Sequence, residues 1–155
     1  MSDPVTMRPI GRVVGGRAEA VDDGWDHEAA TIVLDPAEVG AGATDGLTDF
    51  SHIEVVYCFD RVDEDAVCRG TRRPRGRTDW PSVGILAQRA RDRPNRIGVT
   101  VCRLVGAGPF TIDVTGLDAV DGTPVLDVKP YLAEFAPRGT VRQPSWSTEL
   151  MGGYW

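Results

Sequence analysis

Lysine is almost missing from this chain: of 17 basic residues 16 are arginine, and Lys129 stands alone. A single compact ammonium against a background of planar guanidinium groups has to be accounted for, because lysine can give up its proton where arginine cannot. Histidine is nearly as scarce, with only His27 and His52, and the three cysteines, Cys58, Cys68 and Cys102, show no Cys-x-x-Cys spacing. That leaves too few ligands for a zinc site and no disulfide framework, so no metal is expected. Cys58 and Cys102 lie in apolar stretches and are expected to pack as small hydrophobes. Walker-type Gly-Lys-Ser/Thr, His-Glu-x-x-His and Gly-x-Ser-x-Gly patterns are all lacking. Their absence argues against a nucleotide triphosphatase, a zinc protease and a serine hydrolase. No apolar run approaches the roughly 18 residues of a membrane span, and residues 1–4 do not lead into a basic-then-apolar leader. The expectation is a cytoplasmic protein with no membrane contact.

What is present suits one soluble domain. A chain of 155 residues, 41% hydrophobic and 26% charged, can bury a single core without staples. Short stretches rich in β-branched residues recur at 9–14, 30–34, 53–59, 83–87, 98–105, 110–115 and 125–129, bounded by Gly, Pro or Asp. Several alternate apolar and polar residues, the pattern of half-buried antiparallel strands. Asp35-Pro36 offers a cap and first residue for a short helix, and no long amphipathic helix is visible. The fold class expected is mainly β, a single small antiparallel barrel-like or sandwich-like sheet with few short helices. Gly40 to Gly46 is glycine-rich but lacks the preceding strand and following helix of a phosphate loop, so it is read as a surface loop.

Charge is unevenly distributed. The formal net charge is −6, yet residues 69–103 hold ten arginines against Asp79 and Asp92, a local +8. The remainder carries −14. A phosphate group would be drawn to the one window and repelled elsewhere. Residues 69–77 can equally be a solvated loop whose arginines serve solubility.

Two polar junctions stand out. In the first, residues 88–98, Pro94 fixes its own φ and extends Arg93, which leaves Asn95 to take a left-handed turn or to meet a ligand edge. Arg89, Arg91 and Arg93 share one side in extended geometry and offer forks for carboxylate or phosphate, or for Asp118, Asp121 and Asp127 of the second junction. In that second junction, residues 117–131, Asp121-Gly122-Thr123-Pro124 has tight-turn chemistry. Turn formation does not account for Asp127 and Lys129, which fall on one strand face while Leu126 and Val128 take the other. They can close a sheet edge as an ion pair or handle a proton.

Ile10-Gly11, residues 47–53 (Leu-Thr-Asp-Phe-Ser-His-Ile), residues 89–98 and residues 121–131 (Asp-Gly-Thr-Pro-Val-Leu-Asp-Val-Lys-Pro-Tyr) together resemble the TsaA/TrmO-type family of S-adenosylmethionine-dependent methyltransferases, in order and over most of the chain. Ala90, Arg91 and Arg96 depart from the common form, which has Ser, Pro and Pro there. The resemblance implies a small β-barrel methyltransferase acting as a homodimer, with N6-methylation of N6-threonylcarbamoyladenosine beside a tRNA anticodon as its activity. It implies cofactor contacts from Arg89, Arg93, Asn95 and Ile97 and from Asp121, Gly122 and Thr123, to which Gln88, Leu117 and Asp118 of the same junctions are added. Asp127, Lys129 and Tyr131 are the candidate catalytic residues, with Asp127 relaying the proton that the acceptor nitrogen loses. Arg72, Arg73, Arg75, Arg77, Arg91 and Arg96 are the candidate grips for substrate phosphates. A same-fold enzyme acting on a small molecule or peptide, or a non-catalytic adenosylmethionine-binding module, remains open. Residues 1–155 are read as one domain, with 132–155 an extension packing on the barrel or on a dimer partner. Its aromatics, Trp146, Tyr154 and Trp155, can anchor packing, dock across a dimer or stack on a substrate base.

Overall fold

The computed structural model describes residues 2–155. In chain order the elements are β1 (Gly11–Val14), β2 (Ala29–Leu34), β3 (His52–Cys58), β4 (Thr71–Arg72), β5 (Val83–Gly84), β6 (Ile97–Gly108), β7 (Thr111–Thr115), β8 (Pro124–Pro130) and the helix α1 (Ser145–Met151), with short 3-10 turns between them. Six strands close into an antiparallel barrel in the order β1-β2-β7-β6-β3-β8, and β4 pairs with β5 in a separate ribbon.

Alternation along each strand selects the interior. Val13, Ile32 and Ile112 stand in one cross-strand row, and all three are buried, as are Ile53 and Val55 on β3 and Val125 on β8. Eight strands already enclose only enough room for side chains, so a closed six-stranded barrel is filled by its own core. Any ligand site must therefore lie at a rim or on the outer surface.

A register shift between Val56 and Tyr57 on β3 leaves Leu126 of β8 without a direct partner. This bulge allows Val125 opposite Tyr57 and Val128 opposite Val55 both to face inward, and Asp127 opposite Val56 to face out. Gly98 lies opposite Tyr57, and a Cβ there would overlap the Tyr57 ring and come within 3.0 Å of Phe59 Cζ. Only glycine lets this large buried ring cross the strand pair.

The expected barrel is seen, and two local expectations are corrected. The strand expected at 83–87 is two residues long, followed by a 3-10 turn over Ile85–Ala87 closed by Gln88 N to Ile85 O at 3.1 Å. Asp35 does accept Ala37 N at 2.8 Å, but the chain makes one turn and then meets the glycine-rich stretch from Gly40, so no helix propagates. The helix that forms instead, α1, carried no long amphipathic signal. It is seven residues long and is held by Trp80 Nε1 donating to Glu149 Oε2 at 2.8 Å. No helix among the described residues is long and apolar enough to cross a membrane.

After β8 the chain returns across the barrel. Gly24 N donates to Gly153 O at 3.0 Å and Trp25 N to Tyr154 O at 2.8 Å, so the last residues lie along the loop between β1 and β2.

Candidate functional site at one barrel rim

Tyr57 points inward, and its hydroxyl needs a partner once buried. It finds Asp118, donating to Oδ1 at 3.0 Å, with Thr100 Oγ1 3.2 Å away. Thr100 also donates to Asp118 Oδ1, and Tyr154 donates to Oδ2. One carboxylate at the rim thus collects three hydroxyls from β3, β6 and the C-terminal segment.

Arg89 sits beside this cluster. Its Nη2 donates to Val99 O at 2.7 Å, and its charge favours the ionised forms of both Tyr57 and Tyr154. Burial and then the Asp118 charge outweigh it, pushing both phenols well above their usual value of 10.0. The same two causes push the buried Cys102 thiol from 9.0 up to about 12. All three groups keep their protons in the folded state at a pH where the unfolded chain has released them. Their contribution is whole below about pH 9 and is lost as pH rises toward 12. The thermal midpoint is expected to fall between pH 9 and 11 in scanning calorimetry, and Tyr154→Phe, which removes one phenol, should make that fall shallower.

The tight turn closes the same rim. Gly122 adopts φ 86°, and its N–H donates to Val13 O at 2.7 Å, while Asp121 Oδ1 accepts Gly15 N at 2.9 Å. Arg61 fastens two loops, donating to Ala18 O and Asp121 O at 2.7 Å each. In the other junction Asn95 takes φ 63°, as its sequence context predicts, and the following Arg96 takes φ 51°.

Several candidate residues are engaged in holding the chain. Leu117 is a core residue with 1% exposure. The Gln88 amide clamps the small ribbon by donating to Arg72 O and Val83 O at 3.0 Å each. Arg93 donates to Gln88 O and Arg96 to Val62 O, both at 2.6 Å. Ile97 is half-buried opposite Cys58.

Asp127 and Lys129 lie away from the rim cluster, on the outer face of β8 opposite Val56 and Glu54. They form an ion pair, and Asp127 Oδ1 also accepts Val128 N at 2.9 Å. The hydrogen bond and charge of Asp127 raise the Lys129 pKa above 10.5, so at neutral pH it is an ammonium and no proton acceptor. Tyr131 follows, half-buried, with its N–H on His52 O at 3.0 Å.

The basic segment is more ordered than a free loop. Arg72 pairs with Asp92 at 2.6 Å and Arg75 with Asp23 at 2.8 Å, while Arg77 forks Asp79 and stacks on Trp80, its Cζ 4.1 Å from the ring centroid. Arg73 donates to the carbonyls of Thr78 and Trp80, and Arg91 Nε lies 3.5 Å from Asp92. Of the junction arginines for which the sequence offered Asp118, Asp121 and Asp127, Arg91 lies by Asp92, while Arg89 and Arg93 donate to the carbonyls of Val99 and Gln88. Among the described residues no group of three or more His, Cys, Asp or Glu is gathered as a metal site would require.

Sequence reading missed Tyr57, Thr100 and Tyr154 in the cluster. The first two could have been suspected as inward-facing hydroxyls on alternating strands, but nothing local links Tyr154 to Asp118.

Comparison with known proteins gives a consistent picture. The family model for the tRNA-methyltransferase O N-terminal domain matches residues 22–136. A protein of Methanothermobacter thermautotrophicus named as a probable S-adenosyl-L-methionine-binding protein is 35% identical over 147 residues, 90% of this chain and 99% of that protein. One of Pyrococcus abyssi with the same description is 34% identical over 146 residues, 89% of this chain and 74% of that protein. Human tRNA (adenine(37)-N6)-methyltransferase is 34% identical over 99 residues, 64% of this chain but only 22% of the human protein. A crystal structure of TrmO from Pseudomonas aeruginosa superposes with TM-score 0.72 at 27% identity, covering 90% of this chain and 62% of that one. The chain thus spans less than two thirds of the human enzyme and of the solved TrmO structure.

Proposed function

This chain belongs to the tRNA-methyltransferase O N-terminal domain family, and from that footing we propose that it transfers a methyl group from S-adenosylmethionine to N6 of an adenosine beside a tRNA anticodon, in the form of N6-threonylcarbamoyladenosine. The observation that carries the reading is the convergence of two sequence-distant junctions on one rim, where Tyr57 and Thr100 hydrogen-bond Asp118 while Arg89 binds Val99 O.

The residues fit the cofactor. Asp118 and Arg89 bring opposite charges to bear on the same Tyr57 hydroxyl, a match for the ammonium and carboxylate of an amino-acid end, and Gly122 at φ 86° allows backbone approach without a Cβ. Bound S-adenosylmethionine supplies an electrophilic methyl carbon, so the protein's task is orientation and exclusion of water. Asp127 accepts the proton released by the acceptor nitrogen. Lys129, held as an ammonium, fixes that carboxylate and steadies charge nearby. Arg91 and Arg96, with the segment from Arg72 to Arg77, guide phosphates.

The enzyme works in the cytoplasm as a homodimer. Support for the dimer is the exposed apolar outer surface, where Val14 is 48% and Val105 67% exposed. The pairing of Arg72, Arg75 and Arg77 with acids favours a second reading, a same-fold methyltransferase with a small acceptor and no need of a phosphate grip.

Calorimetric titration with S-adenosylmethionine tests the first step, with Asn95→Ala beside the wild type. Micromolar binding weakened in the variant is expected. A wild type that stays silent at millimolar cofactor removes the enzyme assignment. Loss of salt-dependent tRNA binding on neutralising Arg72, Arg73, Arg75 and Arg77 supports the tRNA reading, whereas a wild type that binds cofactor but shows no salt-dependent tRNA binding points to the small-acceptor reading.

A further inference from the structure

Trp155 is half exposed and lines a cleft of about 120 Å³ on the outer surface with Asp26, His52, Val101 and Arg103. Whole ligand pockets measure about 300–1,000 Å³, so this cleft suits one planar ring and not a complete nucleotide. The indole is held in place: Tyr154 packs against it T-shaped at 4.9 Å between centroids, and the Tyr154 backbone and hydroxyl are themselves tied to Trp25 and Asp118. Arg103 stands at the same cleft with its guanidinium half exposed. Its Nη1 donates to the Asp26 carbonyl at 3.3 Å and carboxylate at 2.9 Å, and no other partner of the guanidinium is found among the described residues. Asp26 holds the fork in place while leaving its remaining N–H groups available.

Register relates this cleft to the proposed chemistry. Val101 pairs with Glu54, and Glu54 with Lys129, all on the outer face. Two strand spacings of about 4.8 Å put Lys129 about 10 Å from the Val101 row. A ring seated on Trp155 is therefore not the base being methylated.

We infer that the Trp155 cleft is a stacking subsite for an unpaired nucleobase flanking the methylated one, with Arg103 taking the adjoining phosphate. The inference rests on the RNA-methyltransferase reading and adds to it a second contact point, whose stacking residue Trp155 lies outside the residues 22–136 matched by the family model. Stacking on an aromatic face tolerates any base and supplies affinity without readout, while the guanidinium adds a salt-sensitive component.

The test measures affinity of the full chain for a fluorescent adenosine RNA hexanucleotide by anisotropy, together with kcat and KM on tRNA and calorimetric affinity for S-adenosylmethionine. Trp155→Ala should weaken hexanucleotide binding between about fivefold and a hundredfold. It should raise KM for tRNA with kcat and cofactor affinity little changed, and Trp155→Tyr should recover most of the loss. Arg103→Gln should weaken binding and make the salt slope shallower by about 0.7, the share of one phosphate contact on a single strand. Unchanged hexanucleotide and tRNA binding in Trp155→Ala overturns the subsite while leaving the enzyme reading intact, and so does a parallel loss of cofactor affinity, which would mark Trp155 as structural. A wild type that binds S-adenosylmethionine but neither RNA overturns the RNA reading and the subsite together.

Discussion

Asp118→Ala is expected to lower the thermal midpoint by about 4–16 °C and to remove detectable binding of S-adenosylmethionine. The carboxylate accepts from Tyr57, Thr100 and Tyr154, and the first two of these are buried. An orphaned buried donor costs about 1–3 kcal/mol. The three costs do not simply add, because Tyr57 and Thr100 already lie 3.2 Å apart and can turn to one another, while the partly buried Tyr154 can reach water. Removing a half-buried charge also returns some of its desolvation cost. A net loss of about 2–4 kcal/mol is therefore expected, at about 2–4 °C per kcal/mol for a chain of this size. Asp118→Asn separates the two roles, since the amide keeps one acceptor for Tyr57 and Thr100 but loses the charge. It should unfold closer to the wild type and still fail to bind the cofactor. An alanine variant with an unaltered midpoint would show that the three hydroxyls find other partners, and the rim cluster would lose its structural role.

The second large effect is kinetic. Asp127→Asn is expected to lower turnover by about 10²–10⁴, the usual contribution of a positioned proton acceptor, with S-adenosylmethionine affinity within about twofold of the wild type. The pair with Lys129 lies at the surface, so the fold should not depend on it. Lys129 does not replace Asp127 as base in this variant, because even an ordinary lysine ammonium, with a pKa of about 10.4, keeps its proton at neutral pH. Single-turnover rates with tRNA beside cofactor titrations would separate the two quantities. Equal losses in both would end the assignment of Asp127 as base, and so would an unimpaired single-turnover rate.

Much of the fold was legible because strand alternation is a local signal. The apolar positions Val13, Ile32, Ile53, Val55, Ile112 and Val114 repeat with period two, and all are interior. The left-handed turn at Asn95 was one of two readings the sequence left open, since Pro94 fixes its own φ and asparagine tolerates αL. Asp127 and Lys129 on one outward face followed from the pleat, although the bulge at Leu126 that keeps Val125 and Val128 both inward did not. Residues 83–87 misled, because a β-branched apolar pattern does not reveal whether a barrel strand is available to pair with. Here only the two residues of β4 are.

The sequence by itself determined the fold class, the two polar junctions and the unusual placement of the only lysine, all properties that residues carry within a few positions of themselves. Tertiary structure decided which charges meet. It spent Arg72 and Arg75 on Asp92 and Asp23, made Gln88 a clamp and Leu117 a core residue, and brought Tyr154 to Asp118 across 36 positions. Partners of this kind are chosen by distance in space, and closing a six-stranded barrel sets those distances through registers that no local pattern records.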